Sequence, residues 1–119
     1  MLTIEHEETG TGALILHLRG EATVEHIGTL QQELTHQLQQ RSQVLLNCEE
    51  LTRVDIYAVQ LLCAAHRSSI AWNSLLTWHG KLPEVLREVM IEAGFARKYG
   101  CSLCPDGVFC MWSHEPAPA

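Results

Sequence analysis

From Ala13 to Arg19 apolar and polar residues alternate. Leu14, Leu16 and Leu18 fall on one side and Ile15, His17 and Arg19 on the other, the period of a strand with one buried face. The segment Leu2 to Glu8, closed by Gly10-Thr11-Gly12, is positioned to pair with it as a hairpin. Gly20-Glu21-Ala22-Thr23 is expected to end that strand, with the Thr23 hydroxyl capping the next helix. From Val24 the apolar residues Ile27, Leu30, Leu34 and Leu38 recur at intervals of three and four between glutamines and glutamates, which predicts an amphipathic helix laid on a sheet.

The pattern then changes. Val44-Leu45-Leu46 is an uninterrupted apolar run of the kind a strand buried on both faces requires. It leads into the polar stretch Asn47 to Arg53, expected as a turn, and then into a helical pattern from about Ile56 to Trp72 carrying Val59, Leu62, Cys63 and Ile70. Asp55 stands at the join. An aspartate there caps a helix, because its carboxylate accepts from a first-turn N–H and sits favourably at the positive end of the helix dipole.

Leu75 to His79 reads as the next parallel strand, ended by Gly80. Pro83 suits a first helical turn, Val85, Leu86, Val89, Met90 and Ala93 make the stripe of a third helix, and Gly94 serves as its left-handed cap. A last strand is expected at Val108-Phe109-Cys110-Met111-Trp112. Strands alternating with helices predict an α/β fold in which a four- to five-stranded mixed, mainly parallel sheet is covered by helices. Residues 1–112 are read as one domain and 113–119 as a flexible C-terminal tail without a large apolar anchor.

Composition narrows the chemistry. The 119 residues carry a formal charge of -6 with eight basic residues, and no basic run exists to follow a phosphate backbone, so nucleic acid is not an expected partner. No apolar stretch approaches the roughly 20 residues of a spanning helix, and the first residues lack the pattern of a signal peptide. Membrane insertion is therefore not expected, and a cytoplasmic location is. Five cysteines, an odd number in that setting, read as free thiols.

Catalytic signatures are missing: there is no glycine-rich phosphate loop, no Gly-x-Ser-x-Gly elbow and no His-Glu-x-x-His pair. The chain is expected not to be an enzyme and to need no cofactor. One constellation could hold a metal. Cys101 and Cys104 form a C-x-x-C pair, followed by Cys110 and His114, thiolate and imidazole being zinc ligands. Against it, Cys110 would share the buried face of the last strand with Val108 and Trp112, so no metal is expected there. The seven histidines are expected at the surface or at strand edges, and Cys48 and Cys63 as small apolar fillers.

The run LLNCEELTRVDIYAVQLL resembles the core of STAS domains, the fold of anti-sigma factor antagonists, where a central strand leads to Asp-Ser-Ser-Gly-Leu at a helix start. The likeness extends from about Leu14 to Phe95 through LHLRGEATVEHIGTLQQEL and LPEVLREVMIEAGF. It implies a single-domain STAS fold and a partner-binding site at Asp55, Ile56, Tyr57 and Ala58. It also implies that the family's phosphoacceptor serine is replaced by Ile56, leaving no phosphorylation site at that position. The implied function is a protein-binding module in bacterial signalling and transcription regulation, with an anti-sigma factor or serine kinase, or another signalling protein, as partner. Two alternatives stay open: a STAS subunit supporting an ABC-type lipid transport system, and a small zinc or redox protein using Cys101, Cys104, Cys110 and His114.

Overall fold

The computed structural model describes residues 1–92. Its strands are β1 (Leu2–Glu8), β2 (Leu14–Ala22), β3 (Gln43–Val54) and β4 (Leu75–Trp78). Its helices are α1 (Ile27–Gln40), preceded by a 3₁₀ turn at Val24–His26, α2 (Ile56–Ala71) and α3 (Glu84–Glu92). One sheet runs in the order β1-β2-β3-β4. β1 and β2 form the expected antiparallel hairpin, while β2–β3 and β3–β4 are parallel. The expected mixed sheet is therefore present, with four strands among the described residues. The strand expected at 108–112, the Gly94 cap, the cysteine-histidine segment and the 113–119 tail lie outside them.

One core binds the layers together. Leu14, Leu16 and Leu18 of β2, Val44, Leu46 and Cys48 of β3 and Leu76 of β4 meet Leu30, Leu34 and Leu38 of α1, Val59 and Leu62 of α2, and Leu86 and Met90 of α3. Most of these side chains are withdrawn entirely from solvent. Each fully buried leucine is worth about 1.5–3 kcal/mol by transfer, so the alternation read from the sequence is the main source of cohesion. Burial pushes the Cys48 thiol up to about 12, which keeps it protonated and makes it the inert filler expected of it. Cys63 is half-buried and packs against the same core.

The structure corrects four expectations. The polar stretch after Leu46 is not a turn; β3 continues to Val54, and β2 continues past Gly20 to Ala22. The register explains why the sequence misleads: His17 pairs with Asn47 and Arg19 with Glu50, then Gly20 with Leu51 and Glu21 with Arg53. Each step uses one more residue on β3 than on β2, the signature of a bulge. Glu49-Glu50 and Thr52-Arg53 are accordingly adjacent exposed pairs within a strand, and a period of two is lost where they stand. Thr23 is extended but its side chain makes no cap hydrogen bond. His66, expected at the surface, is 2% exposed, because it lies four residues beyond Leu62 on the inner side of α2.

Gly20 is fixed by the crossing of these strands. Its φ is +96°, and a Cβ there would stand 2.1 Å from the Met1 carbonyl oxygen, which accepts the Glu21 N–H at 3.1 Å. Gly20→Ala is therefore expected to lose about 1–3 kcal/mol through backbone strain and the displaced chain. Denaturant unfolding measures it, and a loss below about 0.5 kcal/mol would mean the β1 end yields freely.

Candidate functional site

The C-terminal ends of the parallel strands β2 and β3 and the starts of the 3₁₀ turn and α2 meet at Asp55. The backbone there is extended, and Oδ1 accepts the Ala58 N–H at 3.0 Å, which is the cap expected from the sequence. The second carboxylate oxygen does what the sequence does not reveal. Oδ2 accepts the Val24 N–H at 2.8 Å, across 31 residues of chain. The Asp55 N–H in turn donates to the Ala22 carbonyl at 3.2 Å. Asp55 thus satisfies a donor at the start of each helical segment, and it fastens the two segments to each other through two bonds, Val24 N–H to Oδ2 and its own N–H to the Ala22 carbonyl.

This geometry sorts the four residues expected at a partner-binding site. Ile56 and Tyr57 are 43% and 54% exposed, on the first turn of α2, and their side chains are open to a partner. Ala58 is fully buried in the core, so its side chain offers no contact surface; its contribution is the N–H held by Asp55. Asp55 is half-buried with both oxygens engaged, and its role is to position its neighbours. One residue that the sequence reading missed joins them. Val24, expected at the start of the amphipathic helix, is 56% exposed and is tethered to the same carboxylate. Only tertiary contact reveals it, since nothing in the spacing links residues 24 and 55.

No group of three histidine, cysteine or acidic side chains able to hold a metal occurs among the described residues. Cys101, Cys104, Cys110 and His114 lie beyond them. No helix among the described residues is long and apolar enough to cross a membrane. What the Asp55 junction offers chemically is contact: large side chains presented at a helix start whose Ala58 N–H is held by the Asp55 carboxylate.

Comparisons with known proteins agree on the fold. A family model described as "Mlab, STAS domain" matches residues 6–104. The unphosphorylated form of the anti-sigma factor antagonist SpoIIAA superposes with a TM-score of 0.64 at 18% identity, covering 77% of this chain and 81% of that one. The phosphorylated form of SpoIIAA, a Bacillus cell fate determinant, gives 0.62 at 16% identity over 77% and 84% of the two chains. An anti-sigma factor antagonist from Mycobacterium paratuberculosis gives 0.65 at 12% identity over 79% of each. No individual curated protein matches the chain.

If Asp55 holds the site together, Asp55→Ala leaves the Val24 and Ala58 N–H groups without their acceptor and is expected to cost about 2 kcal/mol. Asp55→Asn, which keeps one carbonyl oxygen, should cost less. Urea unfolding of both variants measures the difference. Equal stability of Asp55→Ala and the parent chain would remove the clamp.

Proposed function

This chain belongs to the STAS-domain family, and from that premise we propose that it is a non-enzymatic protein-binding module whose partner docks at the start of α2. The exposure of Ile56 and Tyr57 beside the helix cap made by Asp55 carries this reading. Large side chains in the middle of an interface supply most of its binding energy. An isoleucine that stays 43% exposed at a helix start leaves much of its apolar surface in water. Serine at this position would accept a phosphate carrying nearly two negative charges, which disrupts an apolar contact by charge and desolvation. Isoleucine cannot accept one, so the module binds constitutively or is governed elsewhere. The partner is a signalling protein of the anti-sigma factor or serine kinase class, in bacterial signalling and transcription regulation.

A second reading has one observation in its favour, the same Ile56. An interface that never needs switching suits a subunit that permanently supports an ABC-type ATPase in lipid transport. Co-purification from the native host separates the two. A histidine-kinase-like ATPase recovered with the chain supports signalling, and an ABC ATPase supports transport.

The site itself can be tested in two ways. Incubation with an anti-sigma-type kinase and ATP is expected to leave the β3–α2 junction unmodified. Phosphate located by mass spectrometry on Thr52 or Tyr57 would instead restore a switch. Ile56→Asp is expected to weaken partner binding by at least about tenfold, or ~1.4 kcal/mol, while stability stays within about 0.5 kcal/mol, the usual range for a surface change. Binding unchanged in a stable Ile56→Asp protein would remove this helix start as the docking site.

A further inference from the structure

No further inference is drawn: the strongest candidate, the polar groove beside the β2–β3 bulge lined by His17, Arg19, Asn47, Glu49 and Glu50, carries none, because each of these side chains already has a partner within the fold and nothing in the structure shows what would occupy it.

Discussion

One carboxylate fixes the geometry of the end of the molecule where strands give way to helices. A helix start leaves its first N–H groups without intrahelical partners, and so does the 3₁₀ turn after β2. Asp55 answers one donor from each with its two oxygens, and ties its own N–H to Ala22. The consequence reaches beyond capping. β2 and β3 are bulged where they approach this end, and a bulged ribbon is free to twist and bend. The Asp55 bonds set where that bend stops, and with it where Val24, Ile56 and Tyr57 stand relative to one another.

The ion pairs act differently. Arg19 lies between Glu5 and Glu50, His17 meets Glu7, Arg53 meets Glu21 at 3.1 Å, and Arg41 holds Glu8 through two bonds at 2.6 and 2.5 Å. The Arg41 guanidinium keeps the Glu8 carboxyl below its usual range. Exposed pairs of this kind add little stability. Their effect is on β1, an edge strand whose outward row of backbone groups could pair with another chain. Charged side chains along Glu5-His6-Glu7-Glu8, tied to partners on β2, α1 and the loop after it, make that edge a poor template.

How much of this was legible in the sequence depended on whether a feature was local. The Leu14-Leu16-Leu18 face of β2, the apolar stripe of α1, the Asp55 cap and the glycine after β4 all rest on neighbours within four residues and appear as read, although Ile15 on the opposite face of β2 is buried as well. The length of β3 was hidden because its bulges place Glu49-Glu50 and Thr52-Arg53 side by side, and polar pairs imitate a turn when only periodicity is consulted. Thr23 looked like a cap because its residue type suits one, yet its side chain makes no cap bond, and the His26 N–H goes to its backbone carbonyl instead. His66 looked like surface because it is polar and nothing in its immediate neighbours marks it as buried. Burial of Ala58, and the pairing of Val24 with the α2 start, belong to tertiary contact alone.

Position 56 stands apart from these constraints. The cap of α2 is made by the Asp55 side chain and by backbone donors at residues 24 and 58, and none of these bonds involves the side chain of residue 56. The hydrogen bonds that make the cap therefore place no demand on the side chain after the aspartate. A residue that the fold does not dictate is set by what the surface contacts. Isoleucine is a poor choice for a surface that only meets water, and a β-branched side chain is no better than many polar ones in a first helical turn. Its presence beside Tyr57, with Val24 fastened to the same carboxylate, is accounted for when this end of the molecule is covered by a partner.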